Sequence, residues 1–183
     1  MSVKADPATN IEVLFSPEAI ASRIDELCAA VAATGFENLL VVPIMTGSFM
    51  FSADLLRGLY RAGMSPEVDF LSLASYRLNT SSSGSVDILR DLELDVQGRD
   101  VLIVDDILDT GRTLTYAQDL IVARGAKRTQ TCVLLNKKVR RQVPVEADHV
   151  AFECPPVFVV GYGMDLANRY RELPFVGRIA TAS

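Results

Sequence analysis

The stretch VLIVDDILDTGRTL, Val101 to Leu114, constrains the fold more than any other part of the chain. Four apolar residues run into Asp105 and Asp106, a third carboxylate follows at Asp109, and Thr110-Gly111-Arg112-Thr113 comes next. A short continuous apolar run reads as a strand buried on both faces, which occurs in parallel sheets covered by helices. In open sheets of that kind, ligands bind beyond the carboxyl ends of the strands. The spacing predicts that the next helix begins near Thr113, so its unpaired N–H groups and positive dipole end face the same spot. Thr110, Gly111 and Thr113 there suit a phosphate. The aspartates suit hydroxyl groups, a divalent cation or proton transfer. One loop therefore offers a phosphate cradle beside carboxylates, which matches a sugar phosphate with free hydroxyls. A single strand-end aspartate is often only a cap or turn former, but three in this setting are not explained that way. No G-x-x-x-x-G-K-[ST] occurs in the chain, which argues against a P-loop nucleotidase. A response-regulator receiver opens on its acidic pair, and here the pair comes too late.

The rest of the chain repeats the strand and helix rhythm. Ser16-Pro17-Glu18 is a helix start, and Ile20, Ile24, Leu27, Cys28 and Val31 recur at helical spacing toward a stop at Gly35. Asn38 to Met45 predicts a buried strand, and FMFSADLLRGLYRAG a helix with Ser48 near its cap. Val68 to Tyr76 predicts another strand, and Arg77 to Ser85, rich in Ser and Gly, a mobile loop. Asp100 to Val104 reads as a strand, RTLTYAQDLIVARGA as a helix ended by Gly125, and TQTCVLLN as a strand. The tail has short β-like pieces broken by Pro and Gly. Alternating elements predict an α/β fold with a central parallel sheet flanked by helices. One domain is expected over 1–183, with a core of roughly 36–150 and a small hood from 1–20 and 151–183.

Composition supports one globular domain and lowers other classes. The chain has 183 residues, 49% hydrophobic and 22% charged, enough for a sizeable core. A formal net charge of −5 argues against a nucleic-acid partner. Three cysteines, no Cys-x-x-Cys and a lone His149 argue against a disulfide framework or zinc site and for a reducing cytoplasm. His149 is expected to be structural. MSVKADPATN lacks the apolar core of a secretory signal, and LLVVPIM is far short of the ~20 residues of a membrane helix.

VLIVDDILDTGRTL resembles the PRPP-binding motif of the type I phosphoribosyltransferases. SFMFSADLLRGL, Ser75-Tyr76, LLNKK and VVGYGMDLANRYRELPFVG are similar, in order and spacing, to hypoxanthine-guanine phosphoribosyltransferases, and the likeness runs from Phe15 to Gly177. The resemblance implies transfer of a phosphoribosyl group from PRPP to N9 of hypoxanthine or guanine, with Mg²⁺, by a homodimer or homotetramer. It implies that Asp105 and Asp106, where the family usually has Glu-Asp, hold the ribose hydroxyls and the metal. Asp109 would face the purine N7 as the catalytic proton acceptor or donor, and residues Asp109 to Thr113 would form the 5′-phosphate loop. Thr46-Gly47 and Arg171 would contact pyrophosphate, and Asp165 would orient the metal. Lys137 would bind the purine 6-oxo group, Phe158 would stack on the ring, and Val159 would offer backbone groups. Ser75 and Tyr76 would belong to a closing loop. Thr46 stands where the family commonly carries a lysine, so either Arg178, Arg171 or a neighbour supplies that charge or pyrophosphate binding is weaker. The alternative is a non-catalytic PRPP-sensing regulator of the same fold, which would be expected to lose Asp109 or the purine-binding tail.

Overall fold

The computed structural model describes residues 11–75 and 86–179. In chain order the elements are β1 (Ile11–Phe15), α1 (Pro17–Ala33), β2 (Leu39–Met45), α2 (Phe49–Arg61), β3 (Glu67–Val68), β4 (Leu71–Ser75), β5 (Val86–Arg90), β6 (Asp100–Leu108), α3 (Arg112–Ala123), β7 (Arg128–Asn136), β8 (His149–Glu153), β9 (Val159–Val160) and β10 (Val176–Ile179).

The central sheet has the order β5-β4-β2-β6-β7-β8, with β3 also paired to β2. Strands β2, β3, β4, β6, β7 and β8 pair in parallel, while β5 runs antiparallel to β4. The sheet is therefore mixed, not wholly parallel. Residues 76–85 separate β4 from β5, fewer than the dozen or so that a parallel crossover needs, so the chain returns alongside itself. The apolar runs are buried on both faces, as their lack of alternation demands. Leu102 and Val104 pack with Leu27, Phe51 and Leu55 of α1 and α2, whereas Val101 and Ile103 pack with Leu114 and Ile121 of α3. At about 25 cal/mol per Å², such fully buried side chains supply most of the drive to fold.

The strand expected over Val68 to Tyr76 is split. Asp69 is buried, and its carboxylate accepts the N–H groups of Phe70 (2.8 Å), Glu93 (2.6 Å) and Leu94 (2.8 Å). Those bonds draw the backbone out of the ladder between β3 and β4.

β1, β10 and β9 form a separate antiparallel sheet in that order, with Ile11 opposite Ile179 and Gly177 opposite Val160. This small sheet draws on both segments expected in the hood, Ile11–Phe15 from the first and Val159–Val160 and Val176–Ile179 from the second. Helix α1, capped by Ser16 Oγ on the Ala19 N–H (3.3 Å), packs into the core through Ile20, Ile24, Leu27, Cys28 and Val31. β8 carries the central sheet to Glu153, because Val150 and Phe152 pair with Val133 and Leu135 of β7. His149 lies on that edge strand, its Nε2 3.0 Å from Gln130 Oε1. Among the described residues, no helix is long and apolar enough to cross a membrane.

Candidate active site

Parallel pairing brings the carboxyl ends of β2, β6 and β7 side by side, so the segments after Met45, Leu108 and Asn136 meet. Strand β6 is longer than its apolar run predicts. It continues through both aspartates to Leu108, and Asp105 faces Val133 in register. Asp105 is buried; its Oδ1 accepts the Asp106 N–H at 3.0 Å, and Asp106 Oδ1 accepts the Ile107 N–H at 2.9 Å. Burial, and then the neighbouring Asp106 charge, hold the Asp105 carboxyl well above the usual carboxylate range. Burial also raises Asp106, against which the Arg171 charge works. A buried carboxylate next to a half-buried one calls for hydroxyl donors or a cation to settle their charge.

Three separate segments converge on Asp106. A Cβ added to Gly47 would lie 1.9 Å from Asp106 Oδ2, and one added to Gly163 would lie 2.2 Å from the Gly47 carbonyl oxygen. Gly163 has φ +99°, a conformation open to glycine, so its position is fixed by backbone geometry as well as by space. The Met45–Thr46 peptide is cis, and Thr46 is exposed. Arg171 donates from Nη1 to the Gly163 carbonyl (2.5 Å) and pairs through Nη2 with Asp165 Oδ1 (2.8 Å). The other Asp165 oxygen, Oδ2, accepts the Asn168 N–H at 2.8 Å. Arg178, the other candidate to replace the lysine charge, instead pairs with Glu12 across the hood at 2.7 Å.

On the far side of β6 the chain turns into α3 through Gly111, whose φ of +87° makes it the helix N-cap without a side-chain bond. Thr110 Oγ1 accepts the Arg112 N–H at 3.4 Å; Arg112 is exposed and Thr113 half-buried. Next to this turn is a cavity of about 140 Å³ lined by Asp109, Lys137, Val139, Arg140, Pro156, Val157 and Phe158. Asp109 Oδ1 is buried and has no hydrogen-bond partner, while Oδ2 is 3.9 Å from Arg140 Nη1. Lys137 Nζ donates to the Val157 carbonyl at 2.7 Å. Phe158 is 51% exposed, leaving its ring free to receive a flat partner. Val159 is buried in β9 opposite Arg178. Ser75 ends β4; Tyr76 and the expected mobile loop lie outside the described residues.

The structure thus brings Asp105, Asp106, Thr46, Gly47, Asp165 and Arg171 into one cluster and Asp109, Lys137 and Phe158 into another, with β6 between them. Sequence reasoning missed Gly163 and Arg140. Only Gly163 left a signal, as the second glycine of Gly-Tyr-Gly. Among the described residues, no group of three histidines, cysteines or carboxylates stands ready for a metal. A paired carboxylate still fits Mg²⁺, which takes one or two protein carboxylates and completes its shell with water and substrate oxygens. A larger groove of about 440 Å³ between α1, α2 and Glu172–Pro174 is lined by none of the residues expected in the site.

Residues 11–166 match the model of the phosphoribosyl transferase domain. The chain is 39% identical over 170 residues to the hypoxanthine-guanine phosphoribosyltransferase of Dictyostelium discoideum, covering 92% of this chain and 94% of the relative. It is 40% identical over 172 residues to the hypoxanthine phosphoribosyltransferase of Escherichia coli, covering 92% and 95%. The Trypanosoma cruzi hypoxanthine phosphoribosyltransferase, solved in complex with the product IMP, superposes with a TM-score of 0.87 at 34% identity, over 97% of both chains.

Proposed function

The chain belongs to the hypoxanthine-guanine phosphoribosyltransferases, purine-salvage enzymes of the phosphoribosyl transferase domain family, and we propose that the two clusters beside β6 are its PRPP and base subsites. The reaction is transfer of the 5-phosphoribosyl group of PRPP to N9 of hypoxanthine or guanine, giving IMP or GMP and pyrophosphate. The observation that carries this reading is Asp109. One of its oxygens is buried and unpartnered, it opens on a cavity that also holds Lys137, and the phosphate turn begins at the same residue.

In this reading Asp109 accepts the N7 proton as N9 attacks. Lys137 donates to the 6-oxo group, and Phe158 stacks on the ring. Val159 presents its backbone to the purine edge. The N–H groups and hydroxyls of Thr110 to Thr113 take the 5′-phosphate. Asp105 and Asp106 accept the ribose hydroxyls and stabilise positive charge developing on the sugar. Gly47 and Thr46 give backbone to pyrophosphate, and Arg171 supplies the charge that Thr46 lacks. Mg²⁺ would be held by Asp105 and Asp106 on the ribose side and by Asp165 on the pyrophosphate side, and when bound it neutralises charge on the leaving group. The Asp109 and base cavity that a non-catalytic sensor could dispense with are both in place. We also place the enzyme in the cytoplasm as a homodimer or homotetramer, which fractionation and sizing would test.

A spectrophotometric assay with PRPP, Mg²⁺ and each of hypoxanthine, guanine, xanthine and adenine tests the reading. Turnover of a 6-oxopurine is expected. Tight PRPP binding without turnover of any base would establish the sensor instead.

A further inference from the structure

Arg141 makes five hydrogen bonds to neutral oxygens and is in no ion pair among the described residues. Its Nε donates to the Asp109 carbonyl (3.2 Å), and its Nη1 donates to the Val145 carbonyl. Its Nη2 is shared among the Leu108 carbonyl (3.3 Å), the Lys137 carbonyl (3.4 Å) and Asn136 Oδ1 (2.7 Å). Asn136 is 3% exposed, and its Nδ2 donates to Glu153 Oε1 at 3.0 Å, which fixes the amide with Oδ1 toward Arg141. The Asp109 carboxylate faces Arg140 instead.

The carbonyls that Arg141 holds set the direction of the phosphate turn. In a trans peptide the C=O and the following N–H point opposite ways. Arg141 pulls the Asp109 carbonyl inward, which turns the Thr110 N–H outward. The Gln142 and Val143 N–H groups pull the Thr110 carbonyl inward at 2.9 and 3.1 Å, which turns the Gly111 N–H outward. Neither outward N–H has a backbone partner among the described residues. The backing is tight: a Cβ on Gly111 would lie 2.7 Å from Val145 Cγ1 and 3.2 Å from Arg141 Cδ.

We propose that Arg141, aimed by Asn136, is a positioning residue for the 5′-phosphate: it turns the N–H groups of the Asp109–Thr113 loop toward the anion, lends its unpaired charge from behind the loop, and ties that loop to Lys137. The inference rests on the assignment of that loop to the 5′-phosphate. A guanidinium with only neutral partners keeps its charge uncompensated until an anion arrives, and fixed donors lose less freedom on binding.

The test is the contribution of the 5′-phosphate to binding, measured as the ratio of inosine Kd to IMP Kd by calorimetry. It is read on the wild type, Arg141→Gln, Arg141→Lys and Asn136→Ala, with thermal unfolding confirming that each is folded. The ratio is expected to fall at least ~10-fold in Arg141→Gln, with Arg141→Lys and Asn136→Ala intermediate, and KM for PRPP should rise more than kcat falls. A folded Arg141→Gln with the wild-type ratio overturns the proposal. If that variant does not fold, an unchanged ratio in both Arg141→Lys and Asn136→Ala overturns it equally. A wild type that binds inosine as tightly as IMP overturns the loop assignment itself, and the proposal with it.

Discussion

Gly47 and Asp106 stand so close that a Cβ on the glycine would lie 1.9 Å from the carboxylate Oδ2, well inside any permitted contact. The segment after β2 and the acidic end of β6 therefore form one surface, with Gly163 packed behind it.

Gly47→Ala must push Asp106 aside or lift the loop. Because displacements of about 1 Å can cost ~10²-fold, kcat/KM for PRPP should fall at least that far. Steady-state kinetics beside a melting curve would check it. A variant with wild-type kinetics would remove this contact from the site.

Asp109→Asn keeps the shape of the base cavity but loses the proton acceptor. It should lower kcat by ~10²–10⁴-fold while leaving PRPP binding nearly unchanged. Single-turnover measurements separate the two, and an undiminished chemical step would take Asp109 out of the proton transfer.

Asp105 opposes stability in the free protein. Its folded-state carboxyl is held above the ordinary range by burial and by Asp106, so the unfolded chain gives up this proton first. The contribution of the group is most favourable below the ordinary carboxylate range and is lost as pH rises through the raised folded value. Asp105→Asn should therefore raise the melting temperature of the ligand-free protein at neutral pH by a few degrees. The gain should shrink on acidification, and PRPP affinity should collapse. A pH series of melting curves showing no gain, or a gain that grows toward acid, would contradict the assignment.

Lys137 offers only donors at neutral pH. A 6-oxopurine meets it with an acceptor, adenine with an amino group, and facing donors cost roughly 1–3 kcal/mol per unsatisfied neutral group. Adenine should be used at least ~10²-fold less efficiently than the better 6-oxopurine by kcat/KM. Lys137→Gln should narrow the gap mainly by losing 6-oxopurine turnover. Equal use of adenine and hypoxanthine by the wild type would refute the role of Lys137.

The parts legible in the sequence were those written as hydrophobic pattern. The run Val101 to Val104 ending in aspartates, the Ser16-Pro17 helix start and the glycines at 111 and 125 each follow from local chemistry, and the structure places elements there. What stayed hidden depends on tertiary context. Arg141 sits in the basic run Lys-Lys-Val-Arg-Arg, where nothing local distinguishes it from exposed Arg140 beside it. β5 is only five residues long, leaves Leu89 70% exposed, and pairs antiparallel with the edge that β4 offers it. The roles expected of Lys137 and Phe158 came only from resemblance, since a lysine in a basic loop and a phenylalanine in a strand look ordinary by themselves.

The hood is built around its last strand. β10 lies between β1 and β9, so Ile11 waits for Ile179, a partner almost the whole chain away. Among the described residues this strand pairing spans the widest sequence separation, and such pairings are slow to close. As the chain emerges from the ribosome, β6, α3 and the phosphate turn are made well before Val176. β9, which ends the base cavity, lacks its sheet partner until β10 arrives. Translation thus delivers the Asp105–Thr113 side of the site early, while β9, next to Phe158 on the other side, waits for synthesis to run through β10.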